Sequence, residues 1–241
     1  MSRQDKWSLV VVTCYLILAE VCYFACHTFG KFPACQLDSI VAIMKPGPYF
    51  WTMVIAVGIC SMWLLKQDSN YSSLLKRGGR RQMLFNQWKR NAFVAVWLSS
   101  VLVIGTMFFN SDLRLNNWDV MDSVYYTQTG LTTEQNTVLL FVVLWLINIF
   151  RCFVMQGVLT LVWWSGYNLL IGILPLCAVS VFEMIFYNPA IFLRRFTLDY
   201  PVWIHKNLLG NMALYGAIWL LVLVVLSFVV SCKREFYGNE A

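Results

Sequence analysis

Lys66-Gln-Asp-Ser-Asn-Tyr-Ser-Ser-Leu-Leu-Lys76-Arg77-Gly78-Gly79-Arg80-Arg81-Gln-Met-Leu-Phe-Asn-Gln-Trp-Lys89-Arg90 lies between two apolar runs, each long enough to cross a bilayer. It holds seven of the eighteen Lys and Arg residues. A charge block of that density does not cross lipid cheaply, so it marks the cytoplasmic side. Its pattern is a short helix, a Gly-Gly break, and a second helix that runs into the next span.

The rest of the chain agrees with a polytopic, all-α membrane protein. Of its 241 residues 59% are hydrophobic and only 12% charged, where soluble domains carry about 25%. The apolar runs do not alternate with polar residues, which excludes a β-barrel reading. Trp7 to His27 is too long for a signal core and has no small-residue cleavage site, so it is expected to stay as a span. The net charge of +6 follows from topology and does not point to nucleic acid. Little sequence remains for a soluble domain, so residues 1–241 read as one transmembrane domain.

Six spans are expected, over residues 7–27, 49–65, 92–110, 138–164, 168–187 and 211–232. With both ends and the 66–91 loop inside, the cytoplasmic face carries 11 Lys and Arg against 6 outside, and Arg151 falls within a span. Trp7, Tyr49, Trp51, Trp63, Trp163, Trp164 and Tyr187 lie near span ends, as interfacial aromatics do. Trp164-Ser-Gly-Tyr-Asn168 suits a tight hairpin. Asn188-Pro189 ends the fifth helix, and the mixed segment 188–210 reads as an external stretch that dips into the bilayer under a protein cover.

Glu20, Arg151 and Glu183 fall inside spans, where a charge costs at least about 2.5 kcal/mol. Arg151 sits near the middle of span four and has either glutamate as a candidate partner. Two readings follow: a translocation path or gating lock, and an ion pair that fixes helix packing. Glu20 is near enough to a span end for its carboxylate to snorkel. Of eight cysteines, Cys14, Cys22, Cys60, Cys152 and Cys177 behave as small apolar residues in spans. Cys26 and Cys35 lie near the first external loop, where a disulfide is one option. Cys22, Cys26 and His27 lack a second ligand pair, so no metal site is expected.

No Gly-x-x-x-x-Gly-Lys-Ser/Thr phosphate loop, Gly-x-Ser-x-Gly or His-Glu-x-x-His motif is present. No catalytic residue is expected, and the chain reads as a pathway or a scaffold instead of an enzyme.

Six spans with inner termini and a basic helical loop between spans two and three resemble the permease subunit of a type-2 class ABC exporter. The local match is Ser72-Ser-Leu-Leu-Lys-Arg-Gly-Gly-Arg-Arg-Gln-Met-Leu-Phe-Asn-Gln-Trp-Lys89, similar to the leucine pair, Arg, small residue and basic residues that precede span three in Firmicute-type permeases. The hairpin after span four, the dipping segment before span six and the tail Lys233-Arg234-Glu235-Phe236 also resemble that family. The resemblance covers most of the chain in architecture and about 25 residues in motif. It implies a coupling helix seated in a groove of a separate cytosolic ATPase. Tyr71, Leu74 and Leu75 would supply apolar anchors, and Lys76, Arg77, Arg80 and Arg81 charge-assisted bonds to an acidic groove. ATP and Mg would then be held by that partner and no cofactor by this chain. A second copy or a sister permease would complete the path, in a bacterial cell membrane. The expected cargo is amphipathic or hydrophobic.

Two alternatives stand beside it. Asn117-Trp-Asp-Val-Met-Asp-Ser-Val-Tyr-Tyr-Thr127-Gln-Thr129-Gly130-Leu-Thr-Thr133 resembles the pore loop of Trk- and Ktr-type potassium-uptake proteins, which need four such loops where this chain offers one. The other is an accessory or assembly subunit of a larger membrane complex. The same basic loop would also serve simply to set orientation and to touch lipid headgroups.

Overall fold

The structure is a computed structural model that describes residues 3–26, 34–67, 80–110, 113–186, 188, 190–204 and 206–233. Long apolar runs wind into helices because a helix satisfies its own backbone polar groups where water is absent. In chain order they are α1 (Arg3–Cys26), α2 (Gln36–Ile43), α3 (Pro46–Tyr49), α4 (Ile55–Gln67), α5 (Arg80–Phe109), α6 (Val124–Thr129), α7 (Thr137–Trp164), α8 (Leu169–Ile185), α9 (Tyr200–Ile204) and α10 (Lys206–Lys233). Among the described residues every regular element is helical.

Five segments are long and apolar enough to cross a membrane: Lys6–Cys26, Pro46–Leu65, Gln82–Phe109, Thr137–Trp164 and Asn207–Ser231. α8, where a sixth crossing was expected, has 17 residues. At 1.5 Å per residue it rises about 25 Å, at the lower limit of what spans a hydrocarbon core of about 30 Å. Its end is set by Phe186, whose backbone turns extended (φ −105, ψ 132) ahead of Asn188. Pro175 lies inside α8.

α3 and α4 form one candidate crossing, joined by a π-helical turn, Phe50–Val54. Widened turns of this kind occur frequently at functional sites. Pro46 opens the crossing, and the Thr52 hydroxyl donates to the Pro48 carbonyl at 3.0 Å. This crossing is the most enclosed of the five, while α1 and α10 lie at the periphery. α5 and α7 pack most extensively against each other. The inward stripe of α7 runs Leu140, Leu144, Asn148, Arg151, Cys152, Met155, Leu159 at helical spacing, while Val138, Leu139, Val142 and Leu146 face outward. Outward residues this apolar suit lipid.

The two ends of the bundle differ. At one end α7 turns into α8 through Ser165-Gly166, with Gly166 in the left-handed region at φ +85 and the Asn168 side chain capping α8. Here Asn91 donates to the Thr160 hydroxyl at 2.9 Å, and the Trp164 indole donates to Gln87. A Cβ on Gly157 would come within 2.8 Å of the Trp88 ring, so α5 and α7 meet at this glycine. The opposite end is closed by short elements from three segments, which meet on Asp38.

Candidate functional site

Asp38 lies in the first turn of α2 and is 1% exposed. One carboxylate oxygen accepts the Cys35 backbone N–H at 2.8 Å. The other accepts the Trp118 indole N–H at 2.8 Å and the Tyr200 hydroxyl at 2.9 Å. Trp118 stacks on Tyr125 at 4.7 Å and meets Tyr200 edge-on at 5.6 Å. The hub thus ties α2, the 113–133 segment and α9 together. Burial, then the Asp38 carboxylate, push the Cys35 thiol up to about 12 and raise the Tyr200 phenol as well. The segment compared above with a potassium pore loop contributes α6, N-capped by Ser123 and closed by Gly130 at φ +71.

Arg151 is fully buried midway along α7. Its guanidinium lies 3.6 Å above the Tyr49 ring, and Nη1 donates to the Met44 carbonyl at 2.9 Å. The Tyr49 hydroxyl donates to Asn148 Oδ1 at 2.7 Å, one turn back along α7. Arg151 Nε and Nη2 and Asn148 Nδ2 have no hydrogen-bond partner. All of this sits beside the π-helical turn at Phe50–Val54.

The expected pairing of Arg151 with a glutamate is not what the chain does. Both Glu183 oxygens are taken by consecutive backbone N–H groups: Oε1 accepts from Ile191 at 2.6 Å and Phe192 at 2.7 Å, and Oε2 from Leu193 at 2.7 Å. Arg194 donates to the Glu183 carbonyl at 2.6 Å. Glu183 therefore anchors the 190–197 segment to the end of α8. Glu20 is elsewhere, in the α1–α5 interface, fully buried with neither oxygen hydrogen-bonded, so it does not snorkel. It fills the space left by Gly105, whose Cβ would fall 2.1 Å from Oε2. Glu183 and Asp199 are near enough to attract Arg151 electrostatically, yet neither bonds to it.

Of the expected coupling residues, Tyr71, Leu74, Leu75, Lys76 and Arg77 lie outside the described residues. Arg80 and Arg81 begin α5, so the basic segment continues into the third crossing as one 30-residue helix. Cys26 and Cys35 are free thiols, the first exposed and the second buried, and do not form the disulfide considered above. Among the described residues no group of three His, Cys, Asp or Glu side chains is placed to hold a metal. Asp38 and Asn148 escaped the reading of the sequence, and Tyr49, read there as an interfacial aromatic, is fully buried against Arg151. The available signals were the capping position of Asp38 and the one-turn spacing of Asn148 from Arg151.

Comparison with protein-family models, with curated proteins and with solved structures finds no match for this chain.

Proposed function

We propose that this chain is the membrane-embedded subunit of an ATP-driven exporter, a permease coupled to a separate ATP-binding cassette subunit. On this reading α8 is a sixth crossing, and both chain ends and the 66–91 segment face the cytoplasm. ATP and Mg belong to the ATPase. A second copy or a sister permease lines the other half of the path, through which an amphipathic or hydrophobic cargo moves.

The observation that carries the reading is Arg151. A guanidinium in the middle of a crossing, fully buried and without a bonded carboxylate, is costly, and such residues mark pathways and moving parts. Mobility has a structural basis in the π-helical turn beside it and in Pro175 of α8. The rigid α5 helix, which begins at Arg80, would carry force from an ATPase to the core.

The test is isolation of the chain from its native membrane, followed by reconstitution in proteoliposomes. A co-isolated ABC ATPase whose ATP hydrolysis responds to the chain supports the proposal. The Arg77→Glu/Arg80→Glu double variant is expected to weaken that association at least about tenfold while leaving the helical circular dichroism intact. Wild-type protein that captures no ATPase, or a double variant that retains it fully, overturns the proposal. ATP-independent potassium flux would favour the Trk- or Ktr-like pore, and neither flux nor ATPase the accessory subunit.

A further inference from the structure

The pattern of bonds around Arg151 says more than that the residue is buried. A guanidinium has five N–H groups, arranged in flat forks. Met44 holds Nη1, and Tyr49 covers one face of the plane. What remains is the edge formed by Nε and Nη2, whose N–H bonds run nearly parallel. That edge is the one which grips a carboxylate or phosphate with two bonds at once. The Tyr49 hydroxyl takes Asn148 Oδ1, which fixes the amide and leaves Nδ2 as a third unpartnered donor. Arg151 and Asn148 are both 0% exposed, and one aromatic ring braces both.

The surroundings favour an anion. Both Glu183 oxygens are already occupied by three backbone N–H groups, so neither is available to bond the guanidinium. Asp199, in the segment between α8 and α9, feels Lys45, Arg194 and Arg151 together, and its Oδ1 is unpartnered. Among the described residues, Glu183 and Asp199 are the carboxylates whose charges reach Arg151. We propose that Arg151 and Asn148 form a binding site for an oxyanion, a carboxylate or a phosphate group, with Asp199 as its internal competitor. The inference rests on the exporter reading and names the chemistry of the cargo's polar end. Access requires the π-helical turn or the 190–204 segment to move aside.

Binding is measured on the full chain without a partner. Inorganic phosphate and acetate are titrated against chloride at constant ionic strength in detergent, with the thermal unfolding midpoint as readout. In parallel, phosphatidylglycerol is compared with phosphatidylcholine by native mass spectrometry. Binding of the small anions identifies a free oxyanion as sufficient. Binding of phosphatidylglycerol alone identifies a lipid-like headgroup, and either result supports the site if the variants respond. Arg151→Lys keeps the charge but loses the fork, and should weaken binding at least about tenfold. Asp199→Asn should tighten it. Asn148→Asp places a carboxylate beside the fork, and should raise the thermal midpoint while abolishing the response to ligand. A wild-type chain that binds none of the three probes, or an Arg151→Lys variant that binds as the wild type does, overturns the inference. ATPase association measured on the same preparations keeps the two proposals apart, because it can persist when oxyanion binding fails.

Discussion

Asp38 and Arg151 are both charged, both buried and both at junctions of several segments, yet they are treated in opposite ways. Asp38 accepts three hydrogen bonds, and the groups that donate them come from three separate segments. Arg151 makes one hydrogen bond and leaves two nitrogens unpartnered. A saturated network rigidifies what it joins, whereas a half-satisfied one is a standing cost that structure alone does not explain. The difference separates a clamp at one end of the bundle from a site in its middle.

The largest expected effect is at the clamp. Asp38→Ala strands the Trp118 indole, the Tyr200 hydroxyl and the Cys35 N–H in a buried environment. Each orphaned donor costs about 1–3 kcal/mol, so the thermal unfolding midpoint in detergent should fall by the equivalent of about 3–5 kcal/mol. Hydrogen exchange should rise together over residues 36–43, 118–129 and 200–204. Exchange that rises in α2 alone would show that Asp38 caps one helix and does not join three segments.

A much smaller effect is expected in the middle. Arg151→Met exchanges a partly satisfied cation for a flexible apolar side chain of similar length. Such replacements are often neutral or stabilising, so the folded state should hold within about 1 kcal/mol of the wild type, or above it. Oxyanion binding, by contrast, should vanish. A loss of stability as large as that of Asp38→Ala would erase the distinction, and Arg151 would then be a packing element like the hub.

Much of the scaffold was legible in the residues. Uninterrupted apolar length marked the five segments able to cross a membrane, and Ser165-Gly166 marked the hairpin. α8 was legible as a helix to within two residues at its end, where Phe186 turns extended although its side chain continues the apolar run. Arg151, Glu20 and Glu183 stood out because charge contrasts with an apolar run. Their partners did not, for a physical reason. A search for opposite charges cannot find the Met44 carbonyl, the Tyr49 ring or the N–H groups of residues 191–193, since all of these are supplied by the path of the chain. Asp38 was overlooked because it lies between crossings, where an aspartate is unremarkable until Trp118 and Tyr200 are brought onto it.

Cys35 offers the finest probe of the clamp, because its thiol carries a titrating proton into the hub. Its thiol is fully buried, and burial together with the Asp38 carboxylate pushes it up to about 12 from an ordinary 9.0. The folded state therefore prefers the neutral thiol. That preference contributes fully below the unfolded value near 9.0 and is lost as pH climbs through the folded value near 12. Between pH 8 and pH 10 the unfolded chain releases this proton while the folded chain keeps it. Wild-type stability should accordingly decline relative to Cys35→Ser, by about 1 kcal/mol over that interval. The measurement is the difference in unfolding midpoint between the two proteins at each pH, which cancels the other titrating groups. A constant difference would mean that the thiol meets solvent and that the hub is open at this corner. A decline that disappears in Asp38→Asn would assign the shift to the carboxylate, and one that persists there would assign it to burial.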